Sequence, residues 1–347
     1  MTTRTGLTRL LIRIATIGAP LLLLVCLYVL CDPFEVLRPG QSFYGPSHLV
    51  PLNRDYVSTE CYLRHPRRRD LDSFILGNSR SLFFRTADWA SYLGPVVPFH
   101  FDASGESVFG LLSKVRLLHK DSRRIRNALI IMDAETLSVT TDSPGYLLQK
   151  DPRVAGTSIA NFHYQFFTAF LYPQFFVRYL GYRLTGSVKP WMGDGFQDGP
   201  REVLQLPATN DLIVVGKDRE IQREGEAFFT ALAKRYPRDL SRRPAPGPPV
   251  IGPVQISMLS EIQSILAGDN ADVRVIINPL YDRVPLNPDD AAQLRRIFGP
   301  GRIYDFSGAN AFTNDVHNYY EQSHYRLNVA RQILQIVYAC RAAPPPR

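Results

Sequence analysis

Hydrophobic and polar positions along the chain fall into three regimes. The first is a run of eighteen residues without a charge, Ile14 to Cys31, which includes Leu21-Leu22-Leu23-Leu24-Val25. At 1.5 Å of rise per residue such a run reaches about 27 Å, near the thickness of a bilayer's hydrocarbon layer. It predicts one N-terminal transmembrane helix over 14–31. The second regime starts at Ser73, where short apolar runs alternate with segments of helical period. Ser73-Phe74-Ile75-Leu76, Val96 to Phe101, Ala128 to Met132, Val273 to Ile277 and Ile303-Tyr304-Asp305 read as strands. Glu106 to His119 sets Val108, Leu111, Leu112, Val115 and Leu118 on one helical face, and 256–267, 288–298 and 325–341 also fit helices. Strands alternating with helices predict an α/β fold, three layers (α/β/α) around a mainly parallel sheet, with functional groups at the C-terminal ends of the strands.

The third regime interrupts that alternation from about 140 to 250. Residues 161–183 hold ten Phe or Tyr, and Ser241 to Pro253 is rich in Pro and Gly. The segment reads as an insertion rather than a separate domain. Its aromatics either bury one another, line a ligand cleft, rest on a membrane interface or pack on a partner. The expected organisation is a cytoplasmic stretch 1–13, an anchor 14–31, a tether 32–70 and one domain 71–347 that carries the insertion.

Composition narrows the function classes. A hydrophobic content of 45% excludes a disordered chain, and a single long apolar run excludes a multi-span protein. Of the net charge of +8, Arg4, Arg9 and Arg13 precede the run, and no acidic residue occurs before Asp32. The positive-inside bias then puts the N-terminus in the cytoplasm and the rest outside, as in a single-pass protein of the inner (cytoplasmic) membrane with a periplasmic domain. A cleaved signal peptide is the rival, and no small-x-small cleavage site follows the run. Bulky residues before Cys26 and Cys31 argue against lipidation. Nucleic acid is not an expected partner, because no binding motif accompanies the remaining charge. Cys61 and Cys340 lie near the two ends of the outer region. An oxidising compartment permits a disulfide between them; two unpaired thiols is the competing reading. No His or Cys spacing suits a metal, and no cofactor is expected.

Two segments carry candidate chemistry. In Ser73-Phe74-Ile75-Leu76-Gly77-Asn78-Ser79-Arg80-Ser81 a strand enters a tight turn, which places a hydroxyl and backbone N–H groups at the rim of a sheet. The plainer reading is a helix cap. In Asn318-Tyr319-Tyr320-Glu321-Gln322-Ser323-His324-Tyr325-Arg326 a carboxylate stands three residues before a histidine. It can orient one ring nitrogen while the other serves a nucleophile as general base. Asp315-Val316-His317 is a competing acid–histidine pair. Arg80 is placed either to pair with an acid or to bind an anionic substrate.

Together these segments resemble the SGNH (GDSL-like) hydrolase superfamily, and within it the membrane-anchored branch that includes alginate O-acetylation and teichoic-acid D-alanyl transfer proteins. The resemblance covers about 71–138 and 270–342 and skips the insertion. It implies Ser79 as nucleophile, His324 as base, Glu321 in place of the usual Asp, and Gly105 as an oxyanion donor. The family's oxyanion asparagine should follow the third strand, where this chain has Asp133-Ala134-Glu135; a carboxylate there would repel an oxyanion, and Asn278 is the substitute donor. The implied function is an esterase or O-acyltransferase acting on cell-envelope polysaccharide, with an acyl ester as substrate and a multi-span acyl-donating membrane protein as partner. The alternative is a non-catalytic SGNH-like scaffold or binding subunit in an envelope polysaccharide assembly.

Overall fold

The computed structural model describes residues 2–40, 43–44, 50–121, 124–192 and 203–339. It divides into two compact units, Met1–Leu52 with Ser158–Pro200, and Asn53–Thr157 with Arg201–Arg347. Cys340 lies outside the described residues, and with it the pairing expected with Cys61.

The larger unit is α/β, as the alternation predicts. Its strands are β1 (Ser73–Gly77), β2 (Pro98–Asp102), β3 (Asn127–Met132), β4 (Val203–Leu206), β5 (Asp211–Val214), β6 (Asp272–Ile277), β7 (Ile303–Asp305), β8 (Tyr319–Glu321) and β9 (His324–Tyr325). The central sheet runs β2-β1-β3-β6-β7, every neighbour parallel. The other four strands form two antiparallel hairpins, β4–β5 and β8–β9. Side chains alternate across the strands, so the sheet feeds two cores. Phe74, Leu76, Ile130 and Val275 join the helices Val108–Lys120, Pro253–Gly268 and Pro288–Phe298 on one face. Ile75, Leu129, Ile131 and Ile276 join the helix Leu327–Tyr338 on the other. Gly77 is required where β1 passes β3: a Cβ there would lie 2.6 Å from the carbonyl oxygen of Ile131. The strand order reverses direction between β1 and β3, and sheets of this kind open a crevice at the C-terminal ends of such a pair.

Two parts of this unit differ from the sequence expectation. The helix Arg54–Arg64, read as tether, belongs to the α/β unit and is largely buried. Tyr62 buries its ring against Phe74, Phe99 and Phe101, and the helix's buried charged side chains are paired. Arg54 forks onto Asp102 at 2.7 and 2.8 Å, and Asp55 meets the buried Lys114 at 3.0 Å. Most of its buried positions are polar, so the sequence shows no clear apolar period. The insertion, in turn, is shared out. The β4–β5 hairpin and the helices Gly216–Glu224 and Glu226–Arg235 stay with the α/β unit, whereas Ile159–Leu171 and Pro173–Thr185 do not.

Those two aromatic helices belong to the smaller unit with the helix Thr2–Cys31. Phe162, Phe166 and Phe170, four residues apart, form the buried face of Ile159–Leu171. Phe170 meets the ring of Tyr28 at 5.4 Å, and Phe166 meets Phe34 at 5.4 Å. The first helix ends where Arg38 donates to the carbonyl oxygens of Val29 and Leu30 at 2.6 and 2.8 Å, satisfying acceptors of its last turn. The expected transmembrane span is not supported here. Every side chain of this helix is described only from Gly18 onward, and among the described residues no helix is long and apolar enough to cross a membrane.

Candidate active site

The sheet brings the ends of four strands to one rim. Ser79 follows β1, Gly105 follows β2, Asp133 follows β3 and Asn278 follows β6. Asn78 opens the turn after β1. Its side-chain oxygen accepts the backbone N–H of Arg80 at 3.1 Å and starts a 3-10 turn over Ser79–Phe83. Ser79 is thereby held at the first position of the turn, half-buried.

The β8–β9 hairpin supplies the candidate base. Glu321 pairs with His324 across a two-residue turn, and a register irregularity between Tyr319 and Glu321 adjusts the first strand. The two side chains therefore lie together at the hairpin end, which accommodates the extra methylene of a glutamate. Glu321 Oε1 stands 2.6 Å from His324 Nδ1, and His324 Nε2 stands 2.9 Å from Ser79 Oγ. The chain from carboxylate through imidazole to hydroxyl is complete within hydrogen-bond distances. The His324 ring packs edge-on against Phe83 at 5.9 Å, and Phe83 also meets Tyr325 at 5.7 Å. His324 is 28% exposed and Glu321 49% exposed, so the base is reachable from solvent.

Asp133 forms the floor. It caps the short helix Ala134–Ser138 through the Thr136 N–H at 3.0 Å. Its other oxygen accepts from Asn78 at 2.8 Å, Asn278 at 2.9 Å and Arg80 at 2.8 Å. Burial pushes this carboxyl upward, but Arg80, the Thr136 N–H and the two amides outweigh it and hold it below the usual range. Asp133 is thus an ionised carboxylate with its charge met by Arg80. The repulsion expected at this position is largely spent inside the protein.

The same network settles two residues named from sequence. Arg80 pairs with an acid, and its Nε also donates to the Ser323 carbonyl at 2.9 Å, which ties the Ser79 turn to the His324 hairpin. Asn278 is not placed as a substitute oxyanion donor. It is fully buried, its amide donates to Asp133 and its oxygen accepts from the Tyr325 hydroxyl at 2.9 Å. Burial keeps that phenol protonated. The competing pair fares differently: both ring nitrogens of His317 face carboxylates, Asp315 at 2.7 Å and Glu226 at 3.0 Å. Those bonds, Glu226 first, raise the pKa of His317 and leave it no hydroxyl to activate.

Gly105 lies in an exposed turn with φ of +54°, a left-handed conformation that glycine adopts without strain. The turn is fixed at both ends. Ala103 N–H bonds the Gly77 carbonyl at 3.1 Å, next to the nucleophile turn. The buried Glu106 binds Lys114 at 2.5 Å and Lys150 at 2.9 Å. Burial pushes the Glu106 carboxyl up, and the two ammonium groups more than reverse it, to about 2.

A second constellation lies behind the first and was not legible in sequence. Ser81 Oγ is 3.0 Å from His100 Nε2, and His100 Nδ1 is 3.2 Å from Asp211 Oδ1. All three residues are buried. Asp211 also takes the Thr86 hydroxyl at 2.5 Å and the Thr209 hydroxyl at 2.9 Å. Burial raises its carboxyl, but the bonds from His100 and Thr86 lower it overall. Asn210 donates to the His100 carbonyl at 2.7 Å, so the tip of the β4–β5 hairpin covers the outer edge of β2. No protein-family model, no curated protein and no solved structure matches the chain.

Proposed function

We propose that this chain is a membrane-anchored, extracytoplasmic SGNH-like serine esterase or O-acyltransferase acting on cell-envelope polysaccharide. The observation that carries the reading is Ser79 Oγ at 2.9 Å from His324 Nε2, with Glu321 at 2.6 Å from the other ring nitrogen. The parallel order β2-β1-β3-β6-β7, of flavodoxin-like type, supports it by placing this set at the reversal point of the sheet. The uncharged run 14–31 behind Arg4, Arg9 and Arg13 supports the anchor.

Ser79 Oγ attacks the acyl carbonyl carbon while its proton passes to His324 Nε2. Glu321 stabilises the imidazolium that forms. The backbone N–H groups of Ser79 and Gly105 receive the tetrahedral oxyanion. Collapse breaks the bond to the leaving alcohol, which takes the proton from His324, and leaves an ester on Ser79. Water or a sugar hydroxyl then repeats the sequence in reverse, giving hydrolysis or acyl transfer. Transfer requires an acyl donor, for which a multi-span acyl-donating membrane protein is the fitting partner.

A second reading, the non-catalytic scaffold, draws on Asp133 standing where the family has asparagine and on the burial of Asn278. Labelling of the full chain by a fluorophosphonate serine probe separates the two. The enzyme reading expects labelling of the wild type that is lost in Ser79→Ala. A wild type that neither labels nor releases acetate from an activated ester supports the scaffold.

A further inference from the structure

The unit of Met1–Leu52 with Ser158–Pro200 carries most of the exposed large apolar side chains among the described residues. On the helix Thr2–Cys31 they include Leu22, Leu23 and Leu30, at 65, 69 and 72% exposure. On the aromatic helices and just beyond them they include Ile159, Tyr164, Tyr172, Leu184 and Trp191. This outer face is the complement of a well-formed inner one. With Phe162, Phe166 and Phe170 turned inward, Ile159 and Tyr164 are left outside. Trp191 is held against the second helix at Gly181, where a Cβ would come within 2.8 Å of its ring.

Two further facts say what such a face meets. The first is position. The aromatic helices pack at the outer end of the apolar run, where Phe167 contacts Tyr28 at 5.5 Å and the Tyr179 hydroxyl reaches the Cys31 carbonyl at 3.5 Å. Tyr and Trp collect at that level of a membrane, with the ring in the apolar layer and the polar tip among headgroups. The second is charge. Between Asp151 and Asp194 there is no acidic residue, whereas Arg178, Arg183 and Lys189 all fall within it. An apolar and aromatic surface on segments that carry basic and no acidic residues complements anionic lipid.

We propose that the helices Ile159–Leu171 and Pro173–Thr185, with Trp191, form a seat on an anionic phospholipid surface. The proposal rests on the anchored reading, which it extends by giving the anchor a second, interfacial contact. The aromatic helices then lie in the headgroup region beside the emerging first helix.

The two tryptophans allow a direct test in the full chain. Trp89 is fully buried in the α/β unit, whereas Trp191 is 57% exposed. The chain is reconstituted in vesicles of phosphatidylcholine and phosphatidylglycerol containing dibrominated lipid, and vesicle association is measured by flotation. The seat predicts loss of roughly half the tryptophan emission, with the quenched component missing in Trp191→Phe. It also predicts weaker quenching when Arg178, Arg183 and Lys189 are replaced by alanine, and in vesicles of phosphatidylcholine alone. A chain that floats with vesicles but whose Trp191 is not quenched overturns the seat and leaves the anchor standing. Trp191 quenching that appears only when other membrane proteins are co-reconstituted into the brominated vesicles overturns it in favour of a membrane-protein partner. A chain that does not float overturns anchor and seat together. Equal quenching in anionic and neutral vesicles overturns the choice of anionic lipid.

Discussion

Ser79 and Ser81 stand on one 3-10 turn, and each bonds a histidine that bonds a carboxylate. For Ser79 the partners are His324 and Glu321, at 2.9 and 2.6 Å. For Ser81 they are His100 and Asp211, at 3.0 and 3.2 Å. The difference is access. Ser79 is half-buried at the rim with a partly exposed histidine beside it, whereas Ser81 and His100 have no exposed surface. Bond geometry alone therefore does not distinguish a reactive serine from a structural one. A nucleophile needs room for an acyl carbon and donors for its oxyanion, and of the two sets only the outer one reaches solvent. The inner set instead ties the turn that carries Ser79 to β2 and to the β4–β5 hairpin.

The largest expected effect breaks the comparison in one step. Ser79→Ala or His324→Ala should lower acyl-ester turnover by about 10⁴-fold or more, with the thermal midpoint nearly unchanged. Ser81→Ala should keep turnover within about tenfold of wild type, since it removes no group that touches substrate. Steady-state kinetics on an activated ester measures both. If Ser81→Ala is the inactive variant, the assignment of the two serines is reversed.

The two carboxylates sharpen the contrast, because activity and stability should cross. Asp211→Asn should cost about 2–4 kcal/mol of stability, as it weakens a buried carboxylate bonded by His100, Thr86 and Thr209. Glu321→Gln should change stability by about 0.5 kcal/mol or less, because its carboxylate is exposed. Turnover should respond the other way, falling about 100-fold in Glu321→Gln through loss of imidazolium stabilisation. Urea unfolding and kinetics on the same preparations test the crossing. Two variants that lose stability and activity in the same proportion would sink it.

The outer set was readable from sequence because its parts sit in local motifs. Gly77-Asn78-Ser79 ends an apolar strand, and Glu321 precedes His324 across one tight turn. The five sheet strands were readable too, since runs such as Ala128 to Met132 are bounded by polar residues. The inner set was not. His100 sits in an apolar strand and meets an aspartate 111 positions away, in a hairpin outside the alternating pattern. The role of Asp133 was hidden for a similar reason. Its identity suggests repulsion, and only the convergence of Asn78, Arg80 and Asn278 offsets it. The helix Arg54–Arg64 was missed because most of its buried positions are polar, with the charged ones paired over long range. Local order announces itself in a pattern, whereas long-range polar pairing leaves no period in the sequence.

Between the inner serine and its histidine a smaller effect is expected. Ser81→Ala removes the hydroxyl facing His100 Nε2 and leaves that nitrogen buried without it. The cost should be about 1–2 kcal/mol, and Ser81→Thr, which keeps the hydroxyl, should recover part of it. Equilibrium unfolding in urea measures the difference. An unchanged midpoint in Ser81→Ala would remove the brace role of the inner set.

The smallest effect lies in the pH dependence of the inner carboxylate. Asp211 has its pKa lowered in the folded protein, so it binds fewer protons there than in the unfolded chain at acidic pH. Its contribution is present above the unfolded value of about 3.9 and is lost as pH falls through the lower folded value. Asn at this position has no proton to bind. The stability gap between wild type and Asp211→Asn should therefore hold constant at neutral pH and narrow below about pH 4. Asp133 is also lowered but is intact in both proteins, so its share of the acid loss cancels in the difference. Urea midpoints taken from neutral pH down through that range give the gap directly. A gap that stays constant throughout would mean that Asp211 is not held by His100 and Thr86 as a charged group, and the inner set would then owe its bonding to neutral partners.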